Sequence, residues 1–279
     1  MTGAQDWFMS AGGAAPGVPR IFCFPHAGGS PRAFLDWQDG VGADAEIVAV
    51  CRPGREHRAA EPAPSIGELV EGAAAAITEV TIADGRPFAL FGHSLGALIA
   101  FEVCHRLAAG ASVPGPAGAG TGGPEAAGAG GADVTPRHLI ASGCSAPSLL
   151  PSQRVRDIAR LTGQEFAEAI GFFGGLPPEV IADPELRDLL LPGVVADFRI
   201  AVGYRYRVRP PLALAATIVV GRDDPHVTPA AADPWRAEFT WPPDWHWVDG
   251  GHFYFDAGSE AITSILSALV RADQHVELI

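Results

Sequence analysis

Phe88-Ala-Leu-Phe-Gly-His-Ser-Leu-Gly-Ala-Leu-Ile-Ala-Phe-Glu-Val-Cys-His-Arg-Leu107 reads as strand, sharp turn and helix. The apolar run Phe88 to Phe91 breaks into Gly92-His-Ser-Leu-Gly96, and an amphipathic stretch follows from Ala97 to Leu107. A serine at the apex of such a turn sits in strained backbone, and glycines two residues to either side remove the Cβ atoms that would collide there. Its hydroxyl is held clear at a helix N-terminus, whose dipole favours negative charge, and the Leu95 N–H points to where an acyl oxyanion would form. In so glycine-rich a chain the motif needs partners elsewhere before Ser94 reads as a nucleophile rather than a helix cap.

Length and composition set the frame for those partners. With 279 residues and 48% hydrophobic content the chain buries a full core, one large domain with an appendage. A net charge of −13 opposes nucleic acid and anionic membrane surfaces, so an acidic partner would have to be met by a local patch. All 19 basic residues are arginine, and lysine and asparagine are absent, the mark of a GC-rich coding sequence. The N-terminal stretch lacks the basic patch and apolar core of a secretory signal, and no apolar run approaches the ~18 residues of a membrane span. A soluble cytoplasmic protein is expected. Cys23, Cys51, Cys104 and Cys144 lie far apart in apolar surroundings and read as buried thiols; neither a metal nor a cofactor is expected.

Working outward, Arg20 to Phe24 is a buried strand running into Pro25-His-Ala-Gly-Gly29, and Glu46 to Cys51 is another. Asp6 to Met9 suggests an edge strand. Ser65-x-x-Glu68 is a capping box opening a helix to about Val80. This alternation predicts an α/β fold with a doubly wound, mostly parallel sheet, whose ligands sit at the carboxyl ends of the strands. Ala109 to Asp133 is almost wholly Ala, Gly and Pro and reads as a flexible insertion. Its Gly118-Ala-Gly-Thr-Gly-Gly123 matches G-x-G-x-x-G, but no strand precedes it and no helix follows, so dinucleotide binding is disfavoured. After the strand His138 to Ser142, residues 147–209 hold several short helical segments, capped at Thr162 and Asp183, with an apolar hinge from Phe172 to Pro178. Inserted there, they would form a lid over the serine. The expected division is a core of residues 1–146 and 210–279, with 147–209 as the lid.

Two further strands, Ala216 to Val220 and Trp245 to Val248, end in Gly221-Arg-Asp-Asp-Pro-His-Val227 and Asp249-Gly-Gly-His-Phe253, before a helix from Ala261 to Val270. Acid and histidine thus follow the serine in the order Ser, Asp, His, each just beyond a strand, which is the order of α/β-hydrolases. A serine hydroxyl is a weak nucleophile until a base takes its proton, and the base needs an acid to fix its tautomer. Ser94, His252 and Asp224 fill those roles. Asp223 and Asp249 are rival acids, with the spacing from Gly221 favouring Asp224. Ala27, in a loop resembling the one that supplies the second oxyanion N–H in α/β-hydrolases, is the partner donor to Leu95. His26, His93, His226 and His246 read as packing, loop or surface residues.

Phe22-Cys-Phe-Pro-His-Ala-Gly-Gly29, Gly92-His-Ser-Leu-Gly96, Phe173-Gly-Gly-Leu-Pro177, Leu191-Pro192, Ala196-Asp-Phe198, Tyr204 and Gly250-Gly-His-Phe253, in that order, resemble type II thioesterases of polyketide and nonribosomal peptide pathways. The resemblance spans nearly the whole chain and implies the α/β-hydrolase fold. It implies an enzyme that hydrolyses acyl thioesters from the phosphopantetheine arm of acyl or peptidyl carrier proteins, mostly to clear stalled units. Gly193-Val-Val195 stands where the family usually carries a Leu-Arg pair. Ester hydrolysis, acyl transfer that releases a finished product, and a non-catalytic binding module are the alternatives. Arg154, Arg156 and Arg160, or Arg205, Arg207 and Arg209, are candidate contacts for an acidic carrier.

Overall fold

The computed structural model describes residues 3–111, 134–172, 176 and 178–276. Residues 112–133, with the G-x-G-x-x-G match, and residues 173–175 and 177 of the apolar hinge lie outside them.

Among the described residues, seven strands join in one sheet: β1 (Phe8–Ser10), β2 (Arg20–Phe24), β3 (Glu46–Val50), β4 (Phe88–His93), β5 (His138–Ser142), β6 (Ala215–Gly221) and β7 (Asp244–Val248). Their order is β1-β3-β2-β4-β5-β6-β7. Only β1 runs antiparallel, pairing Phe8 with Val50, and every other neighbouring pair is parallel. The edge strand starts later than the sequence suggests because Ala4–Trp7 forms a 3-10 turn that buries Trp7.

The central strands are buried on both sides, and alternate residues divide between two cores. Phe22, Phe24, Phe88 and Leu90 face one core. Ile21, Cys23 and Phe91 face the other. Helices α2 (Ile66–Asp84) and α3 (Leu95–Ala111) cover the first face. Helices α1 (Trp37–Val41) and α9 (Glu260–Val276) cover the second. The capping box at Ser65 and Glu68 forms as expected, and α2 runs past Val80 to Asp84.

Between β5 and β6 come α4 (Gln153–Ile158), α5 (Gly163–Phe172), α6 (Pro178–Ala182) and α7 (Pro184–Gly203). These helices gather a third apolar cluster of their own, including Ile158, Phe166, Ile170, Val180 and Leu191. Asp183 caps α7, its carboxylate accepting from the N–H groups of Glu185 and Leu186 at 2.8 and 3.2 Å. A short helix, α8 (Pro229–Ala232), follows β6. Among the described residues no helix is long and apolar enough to cross a membrane.

Candidate active site

β4 ends at His93, α3 begins at Leu95, and Ser94 between them has φ +53°. That backbone region is strained for a residue with a Cβ and survives only where its surroundings enforce it. They do so here by close approach. A Cβ on Gly92 would lie 2.2 Å from the Gly96 carbonyl oxygen, and one on Gly96 would lie 1.9 Å from that of Phe24. The Ser94 N–H donates to the Ser142 carbonyl at 2.8 Å, tying the turn to β5. Ser94 opens onto a cavity of about 240 Å³ that His252, Ala27 and Leu95 also line. Val155 of α4 and Phe198 of α7 line it as well.

His252 donates from Nδ1 to Asp224 Oδ2 at 2.8 Å, and both residues are buried. The other Asp224 oxygen accepts from the N–H groups of His226 and Val227 at 2.7 and 3.2 Å. Burial pushes the Asp224 pKa upward, but the hydrogen bond and charge of His252 and the His226 N–H outweigh it and hold the carboxyl below its ordinary value. Asp223 is exposed, and Asp249 is exposed and pairs with Arg222. Of the three candidate acids, Asp224 is the one the fold puts against His252.

A second serine stands close by. Ser142, at the end of β5, is fully buried, and its hydroxyl bonds to His93 Nδ1 and to the Tyr254 hydroxyl, both at 2.8 Å. Its backbone is ordinary strand, and it does not border the cavity.

The thioesterase domain family matches residues 19–115 and 128–270. The chain belongs to the thioesterase family. This thioesterase is a hydrolase, and the break between its two matched segments falls inside the Ala/Gly-rich stretch. It is 30% identical over 84% of its length to the gramicidin S biosynthesis protein GrsT of Aneurinibacillus migulanus, covering 82% of that protein. It is 32% identical over 90% of its length to thioesterase PikA5 of Streptomyces venezuelae, covering 80%. The type II thioesterase BorB from the borrelidin biosynthetic cluster superposes with a TM-score of 0.79 at 29% identity, covering 97% of this chain and all of that one.

The thioesterase also has a polar cluster that sequence reading missed. Asp197 of α7 is buried against Arg52, with Arg52 Nη1 and Nη2 donating to its two oxygens at 3.1 and 3.0 Å. Arg55 donates to the same carboxylate at 2.6 Å, and so does the Gly28 N–H at 2.7 Å. Ala196-Asp-Phe198 marks this position in the sequence, but nothing there names its partners 142 to 169 residues upstream. The candidate docking arginines are partly spent inside the fold: Arg209 forks onto Glu102 at 2.9 and 2.6 Å, and Arg156 donates to the Pro151 carbonyl. Arg154 lines the cavity.

Burial keeps an unusual set of imidazoles neutral. It pushes His26, His105, His138 and His226 down to about 4, with the charge of His252 adding to the effect at His26 and His226. Burial, then the charges of His252 and His26, lowers His93 well below the ordinary value. Between pH 6.5 and about 4 the unfolded chain therefore binds protons that the folded chain refuses, so stability falls as the medium is acidified. His93 and His138, the least exposed pair, make the clearest contribution to this slope; a ring that stays neutral as the medium is acidified contributes on the order of 1 kcal/mol per pH unit. For a chain of this size each such ring lowers the melting temperature by roughly 2 to 4 °C per pH unit. Thermal melts at fixed ionic strength from pH 7 to 5 should show this slope, and His138→Gln should make it shallower. A level melting temperature would mean that these rings take up protons in place.

Proposed function

We propose that Ser94, His252 and Asp224 form the catalytic triad, with the Leu95 and Ala27 N–H groups as oxyanion donors. The substrates are acyl thioesters on the phosphopantetheine arm of acyl or peptidyl carrier proteins in polyketide or nonribosomal peptide assembly. The observation that carries this reading is the Asp224 to His252 hydrogen bond, facing a cavity that the strained Ser94 also borders. The Gly28 N–H supports the choice of Ala27, because it is already committed to Asp197 while Ala27 lines the cavity.

In this scheme Ser94 Oγ attacks the thioester carbonyl as His252 takes its proton, and the carbonyl oxygen becomes an oxyanion between the two N–H groups. The C–S bond breaks, and His252 returns the proton to the departing arm thiol. Water then attacks the acyl-serine, again giving its proton to His252. The acid leaves and Ser94 is restored. Asp224, held ionised, keeps His252 in the tautomer whose free nitrogen faces the serine and stabilises the imidazolium. Helices α4 to α7, in residues 147–209, act as the lid over this cavity. The enzyme works in the cytoplasm on its carrier proteins.

Three substrates carrying one acyl group test the reading: an acyl carrier protein, an acyl-N-acetylcysteamine and a p-nitrophenyl ester. kcat/KM should be at least ~10-fold higher for the carrier than for the N-acetylcysteamine thioester. Equal values for those two would remove the carrier from the proposal, and a preference for the ester would replace thioester hydrolysis with carboxylic ester hydrolysis as the main activity.

A further inference from the structure

The loop that carries the proposed Ala27 donor is anchored on two sides, by Arg52 just after β3 and by Asp197 of α7. Arg52 Nη2, besides holding Asp197, donates to the His26 carbonyl at 3.2 Å. That carbonyl and the Ala27 N–H belong to one planar trans peptide unit and point to opposite sides of the chain. Arg52, together with the Gly29 N–H that the same carbonyl accepts at 3.0 Å, fixes the carbonyl and so aims the N–H the other way, toward the cavity that Ala27 lines. A cationic donor on the carbonyl also polarises the peptide and strengthens the N–H as a donor. On the next peptide unit the Gly28 N–H is fixed by Asp197 itself.

Both charges are deeply buried, Arg52 at 2% exposure and Asp197 at 5%. A buried ion pair is weak evidence for stability, because apolar side chains of similar volume would hold α7 on the core at no greater cost. What apolar side chains cannot do is grip a carbonyl and an N–H of the 26–28 loop. Asp197 is also directly followed by Phe198, which walls the cavity. The same turn of α7 thus shapes the acyl pocket and anchors the oxyanion loop.

We infer that Asp197 and Arg52 are positioning residues for the oxyanion hole, a strut through which the seating of α7 sets the aim of the Ala27 N–H. The inference rests on the proposed roles of Ser94 and Ala27. Removing the Asp197 charge alone leaves arginines without their counter-charge, so Asp197→Asn is paired with the double variant Arg52→Met/Asp197→Leu, which removes the two deeply buried charges and leaves the more exposed Arg55 on the Gly193 carbonyl. For each, kcat and KM on an acyl-N-acetylcysteamine are normalised to the folded fraction from circular dichroism. Affinity is measured for an acyl trifluoromethyl ketone, which forms a tetrahedral oxyanion on the nucleophile.

Losing the aim of one oxyanion donor should lower kcat about 10²-fold, leave KM within about 2-fold, and weaken the ketone by the same factor as kcat. The double variant should recover stability without recovering kcat. Wild-type kcat in the folded double variant, or a loss confined to KM, would overturn the strut. Ser94→Ala run alongside separates the two ideas. Activity surviving that change removes the nucleophile assignment, whereas its loss together with an unaffected double variant removes the strut alone.

Discussion

Ser94→Ala is expected to lose on the order of 10⁶-fold in kcat, while Ser142→Ala keeps its kcat within a few-fold. Both serines lie at the carboxyl ends of neighbouring central strands, so the pair tests geometry rather than neighbourhood. Ser94 holds φ +53° and opens on the cavity with His252. Ser142 spends its hydroxyl on His93 and Tyr254 in the buried interior. Truncating Ser142 leaves those two partners short of a hydrogen bond, a stability cost of about 1 to 3 kcal/mol with little effect on the folded enzyme's chemistry. Labelling with a fluorophosphonate followed by peptide mapping gives the same answer independently, with the adduct on Ser94. An adduct on Ser142, or more than a few per cent of activity left in Ser94→Ala, would move the nucleophile.

Features set by local chain chemistry were legible before the structure. Gly92 and Gly96 follow from the steric demand of a strand-to-helix turn, and the contacts that a Cβ would make there give that demand its magnitude. The capping box at Ser65 and the Asp183 cap are likewise written in four consecutive residues. The parallel sheet follows from alternating apolar runs and helices, with Phe22 and Phe24 turned to one core and Ile21 and Cys23 to the other. What was not legible is pairing between charged residues far apart in the chain. Nothing local marks Arg52 or Asp197 as buried, because charge usually means exposure, and Arg209 read as a candidate carrier contact; only the fold reveals that Arg52 and Asp197 meet in the interior and that Arg209 is held by Glu102. The short helices α4 to α6 resist reading for a related reason. Their apolar residues serve a small cluster of their own rather than the sheet, so no single long period runs through them.

Asp224→Asn should cost about 10⁴-fold in kcat and leave the fold intact, while Asp223→Asn should be nearly silent. The two carboxylates are adjacent in sequence, yet one is buried against His252 and the other is exposed. Asparagine at 224 retains an oxygen for the N–H groups of His226 and Val227, which Oδ1 accepts now, so the turn after β6 should survive. Its other atom becomes an NH₂ group facing a ring nitrogen that at present donates. His252 must then flip its tautomer to accept, which places a proton on the nitrogen that should take one from Ser94. The imidazolium formed during attack also loses its counter-charge. The defect is in the base, so it should fall on kcat with KM little changed, and the Ser94→Ala/Asp224→Asn double variant should be about as slow as Ser94→Ala alone. The melting temperature of Asp224→Asn checks the claim that the turn survives. If Asp223→Asn proves the slower of the two single variants, the acid is Asp223, and His252 turns to a different partner when substrate binds.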